Sequence, residues 1–155
     1  MKKFKFTLQP LYNYKLTVEK MQKAELQKAQ QALRELLDEE QRLLQAYTGN
    51  ERSLNEALAG NKDIAAALQE HDIYFKYIRD ELTVIRERIA KAEEAVAKCR
   101  RLLTKTMKEL KTYTKLREEQ YQRYLKEVQA EEDKEIGDLV SFNTVAEEKG
   151  YTRGR

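Results

Sequence analysis

Residues 64–117 read IAAALQEHDIYFKYIRDELTVIRERIAKAEEAVAKCRRLLTKTMKELKTYTKLR, and a spacing of four then three residues through this stretch decides the fold. The spacing picks out Ile64, Leu68, His71, Phe75, Ile78, Leu82, Ile85, Ile89, Ala92, Val96, Cys99, Leu103, Thr106, Leu110, Tyr113 and Arg117, and thirteen of these sixteen are apolar. A repeat of about 3.5 residues marks a helix that lays one seam against a partner helix. Leu68, Phe75, Leu82, Ile89, Val96, Leu103 and Leu110 take one seam position, and Ile64, Ile78, Ile85, Ala92, Cys99 and Tyr113 take the other. Neither Gly nor Pro interrupts residues 62–136, so one helix is expected over about 62–136, on the order of 100 Å long at ~1.5 Å per residue.

Upstream, a first helix is expected over about 7–47, with Thr7 as N-cap and Pro10 in the first turn, where its missing N–H costs little. Its apolar stripe, which includes Leu8, Val18, Leu26, Leu33, Leu36 and Leu43, is wider and less regular than that of the second helix. Between the helices, Gly49-Asn50 and Gly60-Asn61 are both turn signals, and Ser53 with Glu56 forms a capping box for a short helix over 53–59. The reversal is therefore expected at about 48–61, which pairs positions whose numbers sum to roughly 113–121 and puts Phe4 and Leu8 beside residues 105–117. Gly137 is expected to end the second helix. The reading is all-α: a long antiparallel two-helix coiled-coil hairpin over 1–145, followed by a flexible tail at 146–155.

Composition agrees with this architecture. Of 155 residues 37% are charged and 41% apolar, with one Pro and five Gly, too few for a turn-rich β fold. Mean hydropathy is -0.85, yet nine Tyr and four Phe supply material for a packed seam. The single Cys99 excludes an internal disulfide and a Cys-based zinc site, and the natural compartment is a reducing cytoplasm. No run approaches the ~18 apolar residues of a membrane span.

Thirty basic against twenty-seven acidic residues leave a net charge of +3, too small to make nucleic acid the default partner. The distribution is uneven. Residues 1–28 hold seven Lys and two Glu, and 98–126 hold ten basic and three acidic residues. Residues 35–72 hold nine acidic and three basic, and 127–149 eight acidic and two basic. In a hairpin the two basic segments converge at one end, and the rod becomes a charge dipole.

Catalysis finds little to work with. His71 is the sole histidine and falls on the seam beside Phe75, where a polar group sets register. Cys99 is also a seam residue and reads as a small hydrophobe. No Gly-rich phosphate cradle is present, and the adjacent Glu118 and Glu119 sit on an exposed helix, so neither enzyme activity nor a cofactor is expected. Tyr113, Tyr121 and Tyr124 interleave with Lys111, Lys115, Arg117, Arg123 and Lys126. Three readings fit this pattern: continuation of the seam, base stacking and phosphate contact on a nucleic acid, or insertion into a protein socket.

The opening Phe4-Lys5-Phe6 with Leu8 and Leu11, the helix end LLQAY at 43–47, HDIYFKYI at 71–78 and KLREEQYQRYLKEVQAEEDKEIGDL at 115–139 together resemble the FliJ family of flagellar type III export stalk proteins. The resemblance covers roughly 1–145. It implies a non-enzymatic stalk and adaptor that links a hexameric export ATPase to the cytoplasmic part of the membrane export gate, promotes protein export and associates with export chaperones. It also implies a cytoplasmic protein held peripherally at the inner-membrane export apparatus. Phe4, Phe6, Arg117, Tyr121, Arg123 and Tyr124 are the expected ATPase-contact residues, on exposure and charge as well as resemblance. Leu44, Tyr47, Tyr77, Ile78 and Leu82 are the expected export-gate contacts. The alternative function is a coiled-coil nucleic-acid-binding or chromosome-associated protein using the basic end.

Overall fold

A computed structural model describes residues 3–60 and 63–151. It contains two helices, α1 (Gln9–Ala59) and α2 (Ile64–Tyr151), and no strand among the described residues. The fold is an all-α helical hairpin. The chain divides into two compact units, 18–106 and 1–17 with 107–155.

Within the unit formed by 18–106, the core is a line of α2 side chains, Ile78, Leu82, Ile85 and Ile89, against Leu33, Leu36, Leu43, Ala46 and Tyr47 of α1. Val96 continues the buried line. These are seam positions of the 3.5-residue repeat, and their burial makes hydrophobic transfer the main source of helix pairing here. Arg86 Nε donates to Glu40 Oε1 at 2.9 Å across the helices. Nearer the reversal, the pairing is polar instead. Asn50 Nδ2 donates to the His71 carbonyl at 3.2 Å, and its Oδ1 lies 2.5 Å from His71 Nδ1. Ile64 and Leu68, the first seam positions of the repeat, are left exposed.

In the unit formed by 1–17 with 107–155, Phe6 and Leu110 are buried, Lys15 pairs with Glu109 at 2.5 Å, and Gln120 donates to Thr7 Oγ1 at 3.3 Å. The Glu109 hydrogen bond raises the Lys15 pKa above the ordinary lysine value. The first helical turn is marked by the Tyr12 amide donating to the Leu8 carbonyl at 2.8 Å, so Thr7 makes a cross-helix contact where the sequence suggested a cap.

Helix bounds depart from the expected ones at both turn signals. α1 does not stop at Tyr47 but runs through Gly49 and the 53–59 segment to Ala59. A glycine in a helix costs about 1 kcal/mol, which the Asn50 side chain offsets by bonding His71 rather than a local turn. The reversal therefore follows Gly60, with Asp63 as the α2 cap: its carboxylate accepts from the Ala66 amide at 3.4 Å. Asn61 of the second turn signal lies outside the described residues. Moving the reversal moves the register. Partner numbers now sum to between 121 and 127, from Asn50 with His71 to Thr7 with Gln120, instead of 113–121.

Gly137 does not end α2 either. The helix passes through it to Tyr151, with Ser141 Oγ donating to its carbonyl at 2.9 Å, since one glycine costs only about 1 kcal/mol in a helix already propagating from the packed part of α2. Residues 146–151 of the expected tail are thus helical, and 152–155 lie outside the described residues.

Candidate functional site

The most chemically distinctive surface forms where the segment before α1 meets α2. On α2, Arg117, Tyr121 and Tyr124 are spaced by four and three residues and so share one face. The register brings Phe4 onto that face. Its ring meets Tyr121 at 5.2 Å in an edge-on geometry and Tyr124 at 5.6 Å, and the two tyrosines lie 6.3 Å apart. Such ring pairs contribute about 0.5–1.5 kcal/mol beyond area burial. The trio stitches the start of the chain to α2 while Tyr121 stays 40% exposed.

Arg117 lines two shallow clefts that share Phe4. One is completed by Thr114, Glu118 and Tyr121, the other by Lys5, Phe6 and Gln9. Five of the six expected ATPase-contact residues are therefore gathered here, with Phe6 buried as the anchor beneath them. Arg123 is exposed but not part of the group, since two residues at ~100° each turn it roughly 200° from Tyr121. The surface offers an exposed guanidinium, an exposed phenol and apolar ring faces, the combination that anchors protein interfaces.

The expected export-gate residues do not form one surface. Leu44 is exposed, and Tyr47 is half-buried with its ring 4.7 Å from Phe75. Tyr77 is 57% exposed, whereas Ile78 is 1% and Leu82 7% exposed. Ile78 and Leu82 belong to the core between the helices, which withdraws them from direct contact with another protein. The seam spacing already carried this information, since both are seam positions.

Outside the seam lies a set of which the sequence reading selected only Tyr77. Ile73, Tyr77 and Val84 are all exposed, and their spacing of four and seven places them on one face of α2. Tyr74 joins them, its ring stacked 6.4 Å from Tyr77. The signal was available as apolar residues recurring at helical spacing off the seam. It was masked by the stronger repeat running beside it.

Among the described residues, no group of three or more His, Cys, Asp and Glu side chains stands ready to hold a metal ion, and no helix is long and apolar enough to cross a membrane. Cys99 is half-buried in the seam.

The family model described as flagellar FliJ protein matches residues 4–149. That span includes the aromatic cluster, the 73–84 face and nearly all of α2. Neither a curated protein nor a solved structure matches the chain.

Proposed function

The chain belongs to the flagellar FliJ family, a component of the flagellar export apparatus, and from that premise we propose that it is a non-enzymatic stalk and adaptor linking the hexameric export ATPase to the export gate. The observation that carries this reading is the Phe4, Arg117, Tyr121 and Tyr124 cluster. Aromatic and arginine side chains placed on a rigid helix pair present contact area at little entropic cost, and they suit a protein socket better than a small-molecule site. The ATPase ring is the partner assigned to this surface, and the gate is assigned to the exposed Leu44 and Tyr77, extended by Ile73 and Val84. Tyr47 packs on Phe75 and the core between the helices. Export chaperones are further partners in the same setting, and the chain acts in the cytoplasm at the face of the inner membrane.

Mechanistically, a helix pair that contacts ring subunits unequally binds some ring states better than others. A ligand shifts only those equilibria whose states it binds with different affinity, so such contact biases ring assembly or the hydrolysis cycle. The test is to add the purified chain to the export ATPase and follow turnover and ring assembly. Stimulation is expected, and it should weaken with Arg117→Glu, which alters an exposed side chain and spares the aromatic contacts. An ATPase indifferent to the chain in both readouts refutes the stalk role. A gate-fragment titration in which Tyr77→Ala binds as tightly as wild type refutes the second assignment.

A further inference from the structure

Past Leu125, α2 runs without α1 beside it. Every described side chain from 129 to 150 is exposed, although α2 stays helical to Tyr151. Most helical stability in proteins comes from packing one face of the helix, and this stretch packs none. Its surface is also wrong for a solvated helix: Ile136, Leu139, Val140, Phe142 and Val145 are all exposed, Phe142 by 71%. An apolar stretch of this kind marks a contact surface.

Charge selects the occupant. Residues 127–149 carry eight acidic and two basic side chains. The packed half of the same unit, 3–17 with 107–126, carries nine basic and three acidic, and one of those three, Glu109, is already paired with Lys15. Tail against tail would therefore set like charges together, whereas tail against packed half joins opposite signs. The lengths match as well, with 23 residues of tail and 20 of packed α2, about 35 and 30 Å at ~1.5 Å per residue. The packed half offers apolar landing points in Leu116 and Leu125, both at least 36% exposed.

We propose that this chain pairs with a second copy of itself in an isologous antiparallel dimer, the acidic apolar tail 127–149 of each copy lying along the basic packed half of the other. A two-fold axis near residue 127 makes both contacts at once, as closed symmetry requires. It places Asp133 opposite Arg123 of the second copy and Glu147, two heptads further along the same face, opposite Lys108 of the second copy. The inference rests on one compact unit and is independent of the export reading.

Sedimentation equilibrium of the full chain tests it. At about 50 mM salt a dimer is expected, with the dissociation constant rising at least tenfold at about 500 mM as screening shortens the reach of the charges. Asp133→Arg with Glu147→Arg, or Arg123→Glu with Lys108→Glu, should each weaken the dimer at least tenfold with helicity retained. All four changes in one chain should restore it. A chain that stays monomeric at about 100 μM in low salt overturns the proposal, as does a dimer that neither reversal weakens or a fourfold variant no tighter than the twofold ones.

Discussion

Replacing Ile78 by Ala while separately replacing its neighbour Tyr77 by Ala puts the seam itself to the test. Ile78 is 1% exposed in the cluster formed with Leu82, Ile85 and Ile89, and α1 closes over this cluster with Leu33, Leu36, Leu43, Ala46 and Tyr47. The change removes three carbon groups, about 2.4 kcal/mol at ~0.8 kcal/mol per buried group. Better helix propensity in Ala returns about 0.4 kcal/mol, and the cavity left behind adds to the loss. Two helices close over a gap more easily than a many-layered core does, so the net is expected at about 2–3 kcal/mol. For a chain of this size that lowers the melting temperature by about 5–10 °C in circular dichroism. Tyr77→Ala, about 100° around the helix and 57% exposed, should cost no more than about 0.5 kcal/mol. Equal losses at the two positions, or a loss below about 1 kcal/mol at Ile78, would refute the seam and the register together.

Three further expectations address the polar features and the glycine. The Asn50 and His71 pair should show a coupling of about 0.5–3 kcal/mol in a double-mutant cycle by urea denaturation, because removing either side chain leaves the other half-satisfied; additive losses would mean the contact contributes nothing. Gly49→Ala should stabilise the chain by up to about 1 kcal/mol in the same assay, since a Cβ there meets no atom within 4 Å; destabilisation would mean that the helix breaks at this point. Lys15, raised by its hydrogen bond to Glu109, favours the folded state fully below the ordinary lysine value of 10.5, and that benefit fades as pH rises through the higher folded value. The melting-temperature gap between wild type and Lys15→Met should therefore stay level from neutral pH upward and close only in the alkaline range; a gap independent of pH would show that the charge is not involved.

Much of the hairpin could be read in advance because one physical effect dominates it. Ile78, Leu82, Ile85, Ile89, Val96, Thr106 and Leu110 are all positions of the 3.5-residue repeat, and all are buried. The reversal was harder. Gly49-Asn50 is a turn signal in its local context, and what overrides it is a partner 21 residues away, the His71 ring and carbonyl. Local propensity carries no information about such a partner. Gly137 was misread because a single glycine weakens a helix without ending it when a long helix already propagates into it.

The candidate site shows a sharper limit. Phe4, Tyr121 and Tyr124 were selected as aromatic residues near basic ones, yet their meeting depends on the register, which shifted by several residues once the reversal moved. Ile78 and Leu82 were assigned both to the seam and to a contact surface, and one side chain pointing inward cannot serve both. The exposed 73–84 face had the opposite problem, a real spacing hidden by a stronger neighbouring one.

The antiparallel pairing also has a consequence for how the chain is made. Cross-helix partners are 21 residues apart at Asn50 and His71 but 113 apart at Thr7 and Gln120. Closing the larger loop first would cost about 1.5 kcal/mol more in chain entropy, so assembly should zip outward from the reversal. During synthesis the Phe4 and Phe6 segment precedes its ring partners Tyr121 and Tyr124 by roughly 120 residues, a delay of about 6–24 s at ~5–20 residues per second. For that interval these two phenylalanines have no native surface to settle on.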